Sequence, residues 1–249
     1  MRKRNILLKL EYRGSDFEGW QMQARGRTVQ GVLNEKLRLF LKEDIRPLGS
    51  GRTDAGVHAL SQYANFVTSQ EMESGLIMYK LNRLLPHDIV VTACREVPPE
   101  FNARRDARRR SYRYLISERL SAINRGRSWV LGQKLDLGSL DELAHIVSDS
   151  RYFQNFCRVK SRKSENICNI EKSVWSRRGG FLRYEITADR FLHNMVRLLV
   201  GSMAAAAKGQ TELSRFRKQL EKDVDDKTKY IAPPEGLYLV DVQYEGITL

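Results

Sequence analysis

The chain has 249 residues, with 43 Lys and Arg against 30 Asp and Glu, a formal net charge of +13 at pH 7. Its 41% hydrophobic content is too high for a disordered chain, and its length allows one large domain or two modest ones. No apolar run is long enough to span a bilayer, and three cysteines without a CxxC pair argue against a disulfide scaffold or a cysteine-rich zinc site. The basic start, residues 1–5, leads into alternating residues rather than the apolar core of a signal sequence. The expectation is a soluble protein of a reducing compartment with a polyanionic partner.

Residues 5–12 alternate, with Ile6, Leu8, Leu10 and Tyr12 on one face and Leu7, Lys9 and Glu11 on the other, which predicts a strand. A polar, Gly-bearing stretch with Phe17 and Trp20 follows. Thr28 then reads as an N-cap for a helix whose Val29, Leu33, Leu37 and Leu41 recur at helical spacing. A short strand at 45–49 enters the loop Ser50-Gly51-Arg52-Thr53-Asp54-Ala55-Gly56. A strand at 60–68, a helix at 74–85 stopped by Pro86, and a strand at 88–97 come next. Pro98-Pro99 reads as a linker, and the arginine tract beyond it runs into a strand at 111–117. The pattern then predicts a helix over 140–147 capped by Ser139, a basic loop over 151–165, and a hairpin of 167–176 with 181–188. A long apolar helix over 190–208, an amphipathic one over 212–222 and a strand over 237–244 complete the chain. Strands and helices mix without regular βαβ spacing, so the expected class is α+β with mainly antiparallel sheets. A boundary near 98–110 divides the chain into α/β domains at 1–104 and 105–249.

Three constellations can carry chemistry. In Gly51-Arg52-Thr53-Asp54-Ala55-Gly56-Val57-His58-Ala59, two glycines bracket a carboxylate in a turn that lets a ligand approach; a plain tight loop competes with that reading. Residues 104–113 hold six arginines against one acid, Asp106, next to Tyr112 and Tyr114. Arginine forks onto phosphate and tyrosine stacks on bases, so the tract points to RNA, against the alternative of a solvated basic face. Around Asp189-Arg190-Phe191-Leu192-His193-Asn194-Met195-Val196-Arg197, an arginine on an apolar helix needs an anionic partner if buried, with Asp54 a candidate, or else snorkels to solvent. The histidines His58, His87, His145 and His193 lack metal-ligand spacing and read as structural hydrogen-bond formers. No GxxxxGK[ST], GxGxxG or GxSxG motif is present.

The Asp54 segment resembles the active-site motif of the TruA family of tRNA pseudouridine synthases. Gly19-Trp20-Gln21 with Thr28-Val29-Gln30, Phe101-Asn102-Ala103 through Tyr112-Arg113-Tyr114, the segment 189–201, and Ala232-Pro233-Pro234-Glu235-Gly236-Leu237-Tyr238-Leu239 are similar to the family's other signatures, in family order. The resemblance implies a pseudouridine synthase fold, two α/β domains flanking a central RNA-binding cleft. It also implies isomerisation of uridine in the tRNA anticodon arm, at positions 38 to 40, without a cofactor or metal, by a cytoplasmic homodimer. By resemblance Asp54 is the catalytic carboxylate, Tyr112 stacks on the target base, Arg197 pairs with Asp54, and Arg52 helps extrude the nucleotide. His58, Phe191, Arg104, Arg108, Arg109 and Arg110 complete the expected RNA-contacting set, and the basic segment 158–166 is read as a backbone contact. A non-catalytic RNA binder and a synthase of another RNA or another tRNA position remain the alternatives.

Overall fold

The computed structural model describes residues 2–158 and 167–247, so most of the basic segment 158–166 lies outside the described residues. The chain is mixed α/β with mainly antiparallel sheet and divides into two compact units: Met1–Arg108 with Leu239–Leu249, and Arg109–Tyr238.

In the first unit the strands β1 (Arg4–Tyr12), β2 (Leu48–Gly49), β3 (His58–Thr68) and β4 (Ile89–Val97) are joined by the C-terminal strand β9 (Leu237–Tyr244) in the order β4-β1-β3-β9, with β2 on β3. The β1–β3, β1–β4 and β2–β3 ladders are antiparallel. Leu7 is as fully buried as Ile6, Leu8 and Leu10, so both faces of β1 are covered there, and the two-faced alternation holds only from Lys9 onward. Helix α1 (Val29–Leu41) starts at Thr28, whose Oγ1 accepts from the Gly31 amide at 3.2 Å, and buries Val29, Leu33, Leu37 and Leu41. Helix α2 (Ser74–Leu84) buries Ile77 and Leu81. Pro98-Pro99 is tied down rather than loose: Asn5 Nδ2 donates to Pro98 O at 3.1 Å and Phe101 O at 2.8 Å, and Asn65 Nδ2 donates to Asn5 Oδ1 at 2.9 Å.

The second unit is built on β5 (Ala107–Ser117), β6 (Trp129–Val130), β7 (Ile170–Arg178) and β8 (Phe181–Ala188), in the order β5-β8-β7, with β6 parallel to β5. The β7–β8 hairpin turns at Gly179-Gly180, both at positive φ, as a two-residue turn between twisted strands demands. Helices α3 (Leu137–Ser148), α4 (Met195–Ala207) and α5 (Leu213–Lys218) follow the expected order with three corrections. Helix α3 is capped by Asp136, whose Oδ2 accepts from Ser139 N at 2.7 Å, so Ser139 donates its amide instead of capping. Helix α4 begins at Met195 and not at 190, because Asn194 sits in the left-handed region at φ 64°. Helix α5 is six residues long, shorter than 212–222.

Candidate active site

Asp54 stands in the turn between β2 and β3, half-buried, and the turn is held from both sides. Thr53 is buried, and its Oγ1 shares a 2.8 Å hydrogen bond with the Tyr12 hydroxyl at the end of β1. Burial pushes the Tyr12 phenol up to about 12, so it stays protonated across the physiological range. Main-chain bonds do the rest: Trp20 N donates to Thr53 O at 3.1 Å, Gly56 N to Phe17 O at 3.2 Å, and Val57 N to Asp54 O at 3.2 Å. The segment 14–20 is thus laced to the carboxylate turn along its backbone.

Of the bracketing glycines, Gly56 has φ +79°, but a Cβ on Gly51 would meet open space. The close approach is made by Gly19 instead. It sits at φ +92°, and a Cβ there would lie 2.5 Å from Thr53 O. Sequence reasoning saw Gly19 only as part of a motif; the need for it arises because the main chain of 19–20 lies directly against that of 53–55.

Of the other first-unit candidates, Arg52 and His58 stand on either side of Asp54 along the chain. Arg52 is exposed, and its Nε donates to Gln21 Oε1 at 3.1 Å. His58 is buried, and its Nδ1 accepts the Gly14 amide at 3.1 Å, the kind of structural bond expected of these histidines. Arg104 is exposed, and Arg108 lies beside Glu245 at 3.0 Å.

In the second unit, Tyr112 on β5 meets Phe191 edge to face, with ring centroids 5.0 Å apart and planes at 88°. The contact locks Tyr112 while leaving it half-exposed. Arg110 Nη1 donates to Asp189 O at 2.9 Å, tying β5 to the segment carrying Phe191. Arg109 pairs with Glu171. Arg197, the sole charged residue of α4, is half-buried. Its Nη1 donates to Asn194 Oδ1 at 3.1 Å, its Nε donates to Ala232 O at 2.9 Å, and its own carbonyl accepts from Ala232 N at 3.0 Å. The αL turn that ends the expected helix early is what sets Asn194 beside Arg197.

Two positions have roles that the residue pattern does not announce. Tyr114 is fully buried, and its hydroxyl donates to Pro233 O at 2.7 Å; burial raises its phenol well above the usual range. Tyr114 is therefore a core residue, where the sequence offered it as a stacking partner. Ala232 fixes Arg197 through main-chain atoms only, so no side-chain signal marks it.

The first unit thus carries a stiffly held carboxylate turn; the second carries a tyrosine braced by a phenylalanine and an arginine anchored to a carbonyl. A family model described as tRNA pseudouridine synthase matches residues 10–125 and 150–245. The chain is 36% identical over 238 residues to a tRNA pseudouridine synthase A of Bacteroides thetaiotaomicron, covering 94% of this chain and 88% of that protein. It is 35% and 38% identical to proteins of the same name from Acetivibrio thermocellus and Pelodictyon phaeoclathratiforme, each alignment covering 97% of this chain and all of the relative. With matched residues running through the Asp54 turn, β5 and α4, the chain belongs to the tRNA pseudouridine synthase family, isomerases of uridine in tRNA.

Proposed function

We propose that this enzyme converts uridine to pseudouridine in the anticodon arm of tRNA, at positions 38 to 40, with Asp54 as the catalytic carboxylate and no cofactor. The reaction breaks the N1–C1′ bond, turns the uracil and forms C5–C1′. The C5 proton is lost and N1 gains one, so atoms and electrons balance without an oxidant or reductant. Cleavage leaves positive charge at the sugar, which a carboxylate traps or stabilises.

The observation that carries this reading is the rigidity of the Asp54 turn. A half-exposed acid whose neighbours Thr53 and Gly56 are bonded through the main chain to Trp20 and Phe17, with Thr53 also anchored to Tyr12, is an aimed group and not a solvated surface charge. In this mechanism Tyr112 stacks on the target base, Arg197 pairs with Asp54, and Arg52 helps draw the nucleotide out of its stack. Phe191 and the arginines of the 104–113 tract serve RNA binding, while His58, buried against Gly14, holds the loop. The Asp54 turn lies in the first unit, and Tyr112 and Arg197 lie in the second. The enzyme works as a cytoplasmic homodimer.

The test is tritium release from C5-labelled uridine in tRNA. Asp54→Ala should abolish release, by at least about 10³-fold, while tRNA binding stays near the wild-type level because phosphate contacts carry affinity. Full release from that variant would refute Asp54 as the catalyst. Pseudouridine mapping of total RNA from cells with and without the gene locates the target; an unchanged anticodon arm would refute the positional assignment.

A further inference from the structure

The connection from β5 to β6 holds the most exposed large hydrophobic side chains described in the chain, Leu120 at 78% and Ile123 at 80%. Around them stand Arg119, Arg125 and Arg127, all exposed, and among the described residues no ion pair or side-chain hydrogen bond engages the three guanidinium groups. This contrasts with the tract preceding it, where Arg105 pairs with Asp106, Arg108 with Glu245 and Arg109 with Glu171.

The connection is nevertheless well fixed. Ser117 Oγ donates to Arg119 O at 2.9 Å and accepts from Asn124 Nδ2 at 3.2 Å. Asn124 N donates to Ser121 Oγ at 3.2 Å, and Asn124 O accepts from both Ser128 N and Ser128 Oγ. The Tyr238 hydroxyl donates to Arg127 O at 2.5 Å. Leu120 rests over Gly132, where an added Cβ would come within 2.9 Å of its Cδ2. Next to this loop, Lys208 lies over the Trp129 ring at 5.3 Å and adds a fourth cation.

We propose that residues 119–127 form a second docking surface for tRNA, its arginines taking backbone phosphates and Leu120 and Ile123 packing on ribose or base faces. The proposal rests on tRNA being the substrate. A protein partner would call for a broad apolar centre depleted of charge, whereas here three cations flank two apolar side chains within nine residues. RNA offers that mixture, phosphates beside sugars and bases, and guanidinium forks match phosphate bidentately. A pre-ordered loop also loses little entropy on docking.

The experiment measures binding of the full chain to an unmodified tRNA transcript across a salt series. The triple variant Arg119→Ala, Arg125→Ala, Arg127→Ala should bind more weakly and lower the slope of log affinity against log salt by about 3, one for each phosphate no longer neutralised. The pair Leu120→Ser, Ile123→Ser should weaken binding at every salt concentration and leave the slope alone. Both variants should melt as the wild type does, since only exposed groups change. Wild-type affinity and slope in the triple variant would overturn the proposal. So would a loss confined to vesicles of phosphatidylcholine and phosphatidylserine, which would make a lipid headgroup the ligand. Binding is read without turnover, so an Asp54 variant that still releases tritium would unseat the catalytic reading and leave this one standing.

Discussion

Asp54 differs from the other acids of this basic chain in what surrounds its turn. Thr53 beside it is buried against Tyr12, and that shared hydrogen bond is the cheapest place to loosen the loop without touching the carboxylate. Thr53→Val keeps the shape and leaves the Tyr12 hydroxyl buried with one bond fewer, costing about 1–3 kcal/mol of stability. If the turn aims Asp54, tritium release falls by more than that stability loss explains; release at the wild-type rate would show that the turn's stiffness is irrelevant to turnover. Tyr112 belongs to the same scale. Base stacking on an aromatic ring contributes about 1–3 kcal/mol, so Tyr112→Ala should raise KM for tRNA, while Tyr112→Phe preserves the ring and separates stacking from any role of the hydroxyl.

The segment between β1 and α1 is the element that braces the Asp54 turn, and it is itself clamped by an ion pair between an exposed arginine and a buried aspartate. Arg27 donates to both oxygens of Asp88 at 2.7 and 2.9 Å, and its guanidinium lies 4.1 Å from the centroid of the Phe17 ring. The Asp88 side chain is only 4% exposed. Burial alone would raise the Asp88 carboxyl, but the Arg27 hydrogen bonds and charge outweigh it and hold the group below the ordinary value of 3.8. A carboxylate lowered on folding stabilises the fold above its unfolded value, and that stabilisation is lost as pH falls through the folded value. Asp88→Asn should therefore flatten the acid limb of the unfolding curve below about pH 4. Arg27→Met removes the partner of the Asp88 carboxylate and should cost about 1–2 kcal/mol in urea unfolding, less than for a fully buried pair because the guanidinium is exposed to solvent. Gly19→Ala, forced to hold φ +92° against Thr53 O, should cost about 2 kcal/mol or more and depress tritium release along with stability.

At the scale of the whole molecule, the C-terminal strand is what completes the first unit. Residues Leu239–Leu249 group with it, and Tyr244 packs edge to face on Tyr63 and Phe101 while donating to Ala103 O at 2.7 Å. Tyr244→Ala should cost about 2–4 kcal/mol, read as a lower urea midpoint, and a chain ending at residue 238 should lose the first unit's cooperative transition. Element types were legible in the sequence wherever side-chain periodicity reports a buried face, as in β1, α1, β8 and β9, and the Asp54, Tyr112 and Arg197 motifs were legible as strings of residues. The sequence by itself therefore determined the α/β class, the charge and the family, because patterning and motif identity are properties of the chain alone. Only the tertiary structure decided that Gly19 rather than Gly51 meets the Asp54 turn, that Asn194 breaks the helix before Arg197, that Tyr114 is core, and that Ala232 holds Arg197. The Gly19 and Ala232 contacts are made by main-chain atoms of segments far apart in sequence, and main-chain atoms are the same in every residue, so no side-chain pattern announces them; the Asn194 turn is a local left-handed conformation, and Tyr114 is placed by the distant Pro233 carbonyl that its hydroxyl meets.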